Sequence, residues 1–203
     1  ICLAPTDAVA RYNCGVLLYR RAQFAEAAGQ FREAVRLDPA HARTHYNLAT
    51  LAQRAGRIAE ARDSWQAFTR LNPNVPAAWF NLGVIWMDFD QLEDAAYCFS
   101  EVVELRRDDA EAWLNLAIAQ AAAERWHLAL EAATTADRLS PDNPVVMRLL
   151  VDIHRRLTGQ AGSAAADHLA AASRLEERLA ATKPEEAVTN GAAAEDEGKA
   201  VEP

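Results

Sequence analysis

Apolar and small residues follow two periods along this chain, a short one within segments and a long one of 34 residues. Within a segment, apolar positions lie three and four residues apart, the spacing that places side chains on one face of an α-helix. The long period is clearest at a position that always holds alanine: Ala27, Ala61, Ala95 and Ala129. The position four residues later holds Phe31, Trp65, Phe99 and Ala133. A fixed period of this size predicts stacked units rather than one closed globule.

The first half of each unit carries its own repeated stripe, which ends in a small residue. The apolar position is occupied by Cys14, Leu48, Leu82 and Leu116, and the small position after it by Gly15, Ala49, Gly83 and Ala117. A small residue at a helix crossing lets two antiparallel helices approach closely, so each unit is expected to contain two helices. We place the turn between them near Gln23, Gly56, Asp90 and Glu124.

Proline marks the end of most units, because it cannot continue a helix and is favoured just beyond one. Pro39, Pro73 and Pro141 close three units, and Arg107 occupies the same position in the remaining one. The predicted units are residues 8–41, 42–75, 76–109 and 110–143, preceded by a lead-in over residues 1–7.

These positions together resemble the tetratricopeptide repeat family. The matching features are Trp79 and Trp113 at one position, the leucine followed by a small residue, the Ala-x-x-x-Phe motif and the closing proline. The resemblance covers roughly residues 8–143 at strict spacing. It implies an all-α fold, a right-handed superhelical solenoid of antiparallel helix pairs.

The chain after the four units departs from the pattern. Residues 144–182 are expected to form a degenerate fifth helix pair, because His154 and Asp167 replace large apolar residues. Its second helix, with Ser163 as the capping residue, would close the end of the solenoid with a polar outer face. We expect Leu169, Leu175 and Leu179 to point inward and Glu176, Glu177 and Arg178 outward. Residues 183–203 are small and acidic without an apolar stripe and are predicted to be disordered.

One polar side chain recurs on every first helix: Asn13, Asn47, Asn81 and Asn115. The family resemblance implies that these helices line a concave groove, where an asparagine at this position can hold the backbone of an extended peptide. A carboxamide both donates and accepts hydrogen bonds, so it can pair with a peptide unit in both directions. The neighbouring aromatic residues Tyr12, Tyr46, Phe80 and Tyr19 would then select ligand side chains. The alternative is that asparagine is simply common at this position in the family.

Charge is distributed unevenly along the units. Residues 8–75 contain ten arginines and five acidic residues, whereas residues 76–143 contain four arginines and thirteen acidic residues. On the helix face of the asparagines, Arg20, Arg43 and Arg54 lie at one end, and Asp88 and Glu111 lie beyond them. We expect a bipolar groove that orients a bound segment with its acidic end over the arginines. Ordinary solvated helix charges are the alternative interpretation.

Composition excludes several classes of function. A formal net charge of −8 argues against a broad nucleic-acid surface. The sequence contains no run of about 18 apolar residues, so it predicts no membrane-spanning helix. The three cysteines have no clustered spacing and predict neither a disulfide framework nor a zinc site. Cys14 is interpreted as a small buried apolar residue. A cytoplasmic location is expected; because the chain does not begin with Met and an address could have been removed, the periplasm is left open.

No arrangement of residues predicts catalysis, a cofactor or a metal site. His41 and His45 are four residues apart, but no third ligand is evident, and His45 occupies the tryptophan position. We therefore expect a non-catalytic adaptor that binds another protein or peptide segment in its groove. The alternatives are an assembly subunit that uses outer or end surfaces, which an outward Trp126 would favour, and a regulatory repeat region of a larger enzyme. Homo-oligomerisation is left open.

Overall fold

The computed structural model describes residues 7–159 and 164–182, and every regular element in them is an α-helix. The helices are α1 (Ala8–Arg20), α2 (Phe24–Leu37), α3 (Ala42–Arg54), α4 (Ile58–Leu71), α5 (Pro76–Asp88), α6 (Leu92–Leu105), α7 (Ala110–Ala122), α8 (Trp126–Leu139), α9 (Pro144–Thr158) and α10 (Ala165–Ala181). Each odd-numbered helix packs against the next even-numbered one, and each pair packs against the following pair. The prediction of an all-α solenoid of helix pairs is confirmed.

The turn inside each of the first four pairs is set by one residue in the left-handed conformation. These residues have φ between 56° and 68° and lie 34 positions apart: Ala22, Gly56, Asp90 and Glu124. Only Gly56 adopts this φ without a steric cost from a Cβ atom. In each of these four pairs the first helix has 13 residues and the second has 14, so the units keep the same register.

The core between paired helices depends on a large residue facing a small one. Phe31 and Phe99 are completely buried, and a Cβ atom built on the facing glycine would lie 2.6 Å from the Phe31 ring at Gly15 and 2.9 Å from the Phe99 ring at Gly83. Both glycines are therefore required for close approach of the helices rather than for backbone freedom. In the fourth pair, Ala117 and Ala133 occupy the two positions and are both fully buried.

Substitution of Gly15 by alanine is expected to lower the free energy of unfolding by about 1 kcal/mol. Alanine favours the helix by about 1 kcal/mol, but forcing a methyl group into the Phe31 ring costs about 1–3 kcal/mol. The control is Gly29→Ala in α2, where the new methyl group meets no atom within 4 Å. That variant should gain about 0.5–1 kcal/mol, and urea denaturation measures both. Equal shifts in the two variants would contradict the close approach.

The tryptophan position has a structural role that it shares with His45. Trp79 Nε1 donates to the Pro73 carbonyl oxygen at 2.7 Å, and Trp113 Nε1 donates to the Arg107 carbonyl oxygen at 3.0 Å. His45 Nε2 lies 2.9 Å from the Pro39 carbonyl oxygen, the equivalent position one unit earlier. The ring nitrogen therefore joins a first helix to the loop before it, and packing explains His45, as the sequence predicted.

The two ends of the solenoid differ from its middle. Leu17 in α1 is 60% exposed, whereas Leu51 and Ile85 at the same position are almost completely buried. No helix precedes α1 among the described residues, so this face has no neighbour there. Cys14 lies on the same helix, is only half-buried and is disulfide-bonded, so its interpretation as a small buried apolar residue is wrong. Among the described residues Cys98 carries a free thiol, and burial raises its pKa to about 12.

Helices α9 and α10 form the fifth pair, with Ala172 and Leu175 buried between them. The expectation for Leu169 is wrong: it is 58% exposed, because the stripe that packs on α9 runs through Ala172, Leu175 and Leu179. The predicted cap, Ser163, lies outside the described residues. Arg178 does not point only to solvent, since it forms ion pairs with Asp137 at 3.1 Å and Asp142 at 3.2 Å.

His154 contacts the second helix of this last pair. Its Nδ1 atom lies 3.0 Å from Nδ1 of His168, so the two rings join α9 to α10 through one hydrogen bond. Burial lowers the pKa of His154, and the nearby His168 and Arg174 lower it further, which favours the neutral ring.

Across the described residues, no helix is both long enough and apolar enough to cross a bilayer.

Candidate functional site

The four predicted asparagines lie at the same point of α1, α3, α5 and α7, which we call the first helices. Asn13 is exposed, and Asn47, Asn81 and Asn115 are partly exposed, so none of them is enclosed between helices. Each follows the start of its helix by the same number of residues, because the helices begin at 8, 42, 76 and 110. We call this set the asparagine row.

Most of the row has no hydrogen-bonding partner in the protein. Asn115 Nδ2 donates to the Glu111 carbonyl oxygen one turn earlier, at 2.9 Å. Within residues 7–159 and 164–182, the side-chain amides of Asn13, Asn47 and Asn81 form no bond to another protein group. Because they are open to solvent, this costs little in the free chain and leaves both donor and acceptor atoms available.

A surface cavity of about 200 Å³ lies beside Asn81. Three successive helices build it, and its lining residues are Pro76, Ala77, Phe80, Asn81, Val102, Arg106, Asp109 and Glu111. The first four belong to α5, the next two to the end of α6 and its C-cap, and the last two to the start of α7. Of these, Asn81 and Phe80 were predicted from the sequence as peptide-binding residues, and Glu111 was placed on the same helix face as a charged residue.

The predicted aromatic residues beside the row are held by aromatic residues of the second helix in the same pair. Tyr12 packs on Phe31 with ring centroids 5.9 Å apart, and Phe80 packs on Phe99 at 5.6 Å. Tyr46 meets the edge of Trp65 at 5.1 Å but remains 42% exposed. These rings are therefore fixed by the core, and each presents only its remaining surface beside an asparagine.

Tyr19 and Arg54 form a contact between the first two helix pairs. The Arg54 guanidinium donates from Nη1 to the Tyr19 hydroxyl at 3.2 Å and lies 5.3 Å from the centroid of the Phe24 ring. The same arrangement recurs 102 residues later, where Arg156 lies 5.5 Å from the Trp126 ring centroid. Arg54 is thus committed to a contact that the sequence prediction did not include, and Trp126 is covered rather than presented outward.

Arg20, Arg43 and Asp88 are exposed at the positions predicted for a bipolar surface. Among the residues that the structure describes, none of the three forms an ion pair with another side chain. Their charges are therefore available to a ligand. The fifth pair carries Leu149 at the asparagine position, so the row ends at Asn115.

The histidines considered as metal ligands have other partners. His41 Nδ1 lies 2.6 Å from Thr44 Oγ1, and His45 is occupied by the Pro39 carbonyl. No group of three or more metal-binding side chains occurs within the described part of the chain.

A protein-family model described as tetratricopeptide repeat matches residues 12–52, 46–101 and 87–144, which together span well over half of the chain. Solved structures with the same fold include YrrB, described as a tetratricopeptide repeat protein with an unusual peptide-binding site. It is 19% identical, has a TM-score of 0.67, and the match covers 85% of this chain and 88% of that one.

Structures of MamA are also similar. A MamA structure with a TM-score of 0.62 is 18% identical, and the match covers 88% of this chain and 97% of that one. MamA from Desulfovibrio magneticus RS-1 is 22% identical with a TM-score of 0.60, and the match covers 84% and 95%. No curated protein sequence matches the chain significantly. At these identities the structural matches establish the fold alone.

Proposed function

The chain belongs to the tetratricopeptide repeat family, and we propose that it is a non-catalytic adaptor that holds an extended segment of another protein along its first helices. The observation that carries this proposal is the row of amides at Asn13, Asn47 and Asn81, which are solvent-accessible, equally placed and without partners among the residues that the structure describes. Together with Asn115, whose amide already donates to the Glu111 carbonyl oxygen, they form a ladder on successive units that a peptide backbone can follow.

The asparagine row suits a backbone ligand for a simple reason. A peptide unit offers one donor and one acceptor, and a carboxamide satisfies both. Each net hydrogen bond contributes about 0.5–1.5 kcal/mol, so the row alone would give weak binding. Apolar contacts at the exposed faces of Tyr12, Tyr46 and Phe80 would supply the rest.

The similarity to YrrB is consistent with this class of ligand, since that protein is described as having a peptide-binding site. The alternative of an assembly surface on the outside of the solenoid loses its main support. Trp126, the large side chain that would favour it, lies beneath the Arg156 guanidinium. Two other exposed apolar residues, Tyr97 and Leu128, lie on different helices, α6 and α8.

The charges would set the direction of the bound segment. Arg20 and Arg43 lie on α1 and α3, in the first two units, and Asp88 and Glu111 lie on α5 and α7, in the next two. A segment with an acidic end and a basic end would therefore bind in one orientation, with its acidic end over the arginines.

Reversal of Arg20 and Arg43 to glutamate is expected to weaken a bound peptide about tenfold at low salt, and less at high salt because exposed charges are screened. The two are chosen because, unlike Arg54, they have no partners within the described residues. The probe is a peptide selected from a random linear library against the wild-type chain, and fluorescence anisotropy gives its affinity.

The matched control reverses Arg36 and Arg70, which are exposed at the ends of α2 and α4. It makes the same change in net charge away from the first helices. Equal losses in both variants would mean that only overall charge matters, and the oriented groove would be rejected.

A further inference from the structure

The cavity beside Asn81 has the size of a pocket for one side chain. Its volume is about 200 Å³, below the roughly 300–1,000 Å³ of sites that enclose a small-molecule ligand. Asn81, where the proposed function places a ligand backbone, is one of its lining residues. A single long side chain projecting from that backbone would therefore enter it.

Part of the cavity wall is apolar and held in place by the core. Phe80 is anchored on Phe99, and Val102 is only 1% exposed, so neither can move away without disturbing the core. Ala77 contributes a methyl group on the α5 side. Such walls suit the methylene stem of a long side chain, as when lysine or arginine lies along apolar surface with its charge at the rim.

The rim carries one uncompensated negative charge. Arg106 pairs with Asp109 at 3.4 Å, and Asp109 also accepts a hydrogen bond from the Ala112 backbone N–H at the start of α7. Glu111 is exposed and forms no ion pair with any residue that the structure describes. The three charges sum to a negative rim, and Glu111 is the carboxylate free to accept a ligand.

The N-terminal end of α7 would by itself repel a cation, since backbone N–H groups give it a partial positive charge. Asp109 caps this end and offsets that charge. The carboxylate of Glu111 can therefore act on a ligand at the rim.

The same position in other units provides an internal comparison. Glu111 corresponds to Arg43 two units earlier, whereas the units between and after carry Ala77 and Val145. The position is thus negative at one site, positive at another and neutral at the rest. Its charge is a local property of each site rather than a feature of the repeat.

We propose that this cavity binds an arginine or lysine side chain of the segment held along the first helices. The stem lies against Phe80 and Val102, the cation meets the Glu111 carboxylate, and the Asn81 amide pairs with the adjoining backbone. This inference rests on the proposed function and adds a specificity-determining residue, Glu111, to it.

The test uses a positional-scanning library of linear peptides in which one position is fixed as Arg, Lys, Gln, Glu or Leu. The wild-type chain should prefer Arg or Lys at one position by about tenfold over Glu, the size of one charge-assisted bond. Glu111→Gln should remove most of that preference, and Glu111→Arg should reverse it in favour of Glu. The control, Glu131→Arg on α8, makes the same charge change outside the cavity and should leave the preference intact.

Two outcomes would overturn the inference alone: an unchanged preference in both Glu111 variants, or a preference for Leu at the position in question. Binding that still weakens on replacement of Asn81 would then keep the proposed function. Absence of binding by every linear peptide would overturn both proposals together.

Discussion

Replacement of Phe99 by alanine is expected to lower the free energy of unfolding by about 3–5 kcal/mol, the usual cost of deleting a large buried aromatic side chain. Phe99 is fully buried between Gly83, which has no side chain to fill the space, and the Phe80 ring. The neighbouring helices cannot collapse into the cavity without shifting both adjoining pairs. Urea denaturation followed by far-UV circular dichroism measures the loss.

The control for this variant is Tyr97→Ala, two residues away on the same helix. Tyr97 is 56% exposed and meets the edge of Trp79, so its loss should cost no more than about 1 kcal/mol. Solenoid stability depends on interfaces between neighbouring units. Amide hydrogen exchange in the Phe99 variant should therefore rise first in α5 and α6. Similar losses in both variants would contradict the description of the core.

Much of the fold could be predicted because the residues that determine helix packing recur in every unit. The invariant alanine at Ala27, Ala61, Ala95 and Ala129, the small residue that faces the second helix and the closing prolines each act locally. Each of them indicates the same helix pair, and because the units agree, the architecture could be predicted from the sequence. The asparagine row could be found for the same reason, since a repeated helix places a repeated residue on one face.

Features that depend on a neighbour from outside the repeat could not be predicted. Leu169 and Arg178 were assigned from the helical period of α10 alone, but the rotation of that helix is set by contacts with α9 and with Asp137. Cys14 was judged by analogy with Leu48, although α1 has no helix before it among the described residues. In both cases the local pattern was sound and the tertiary environment differed.

Individual residues of the candidate site could be predicted, but the cavity that they form could not. Asn81 and Phe80 follow from the repeat, whereas Arg106 and Asp109 enter the cavity from the loop that leads to the next unit. The sequence did contain a signal for this site, because Glu111 occupies the same repeat position as Arg43 but carries the opposite charge. The contacts of Arg54 with Tyr19 and Phe24 could not be predicted from the sequence, since these partners lie 35 and 30 positions away along the chain.

Replacement of Asn13, Asn47 and Asn81 together by alanine is expected to weaken peptide binding by at least about tenfold. Each lost hydrogen bond is worth about 0.5–1.5 kcal/mol, and about 1.4 kcal/mol corresponds to a factor of ten. Alanine has the higher helix propensity, so the first helices should remain folded. Asn115→Ala should have a smaller effect, because its amide already donates to the Glu111 carbonyl.

The control replaces Gln66 and Asn74, two exposed amide side chains outside the first helices. It removes carboxamides without touching the asparagine row, so it should leave the affinity unchanged. Far-UV circular dichroism on every variant separates loss of binding from loss of helix.

The most direct test of peptide holding by the asparagine row is the dissociation constant of one library-selected linear peptide, measured by isothermal titration calorimetry for wild-type, triple-alanine and control chains. We expect the triple variant to bind at least about tenfold more weakly, with helicity and the control affinity unchanged. Equal affinity of the triple variant and the wild-type chain would contradict the account, and would place the ligand on another surface of the solenoid.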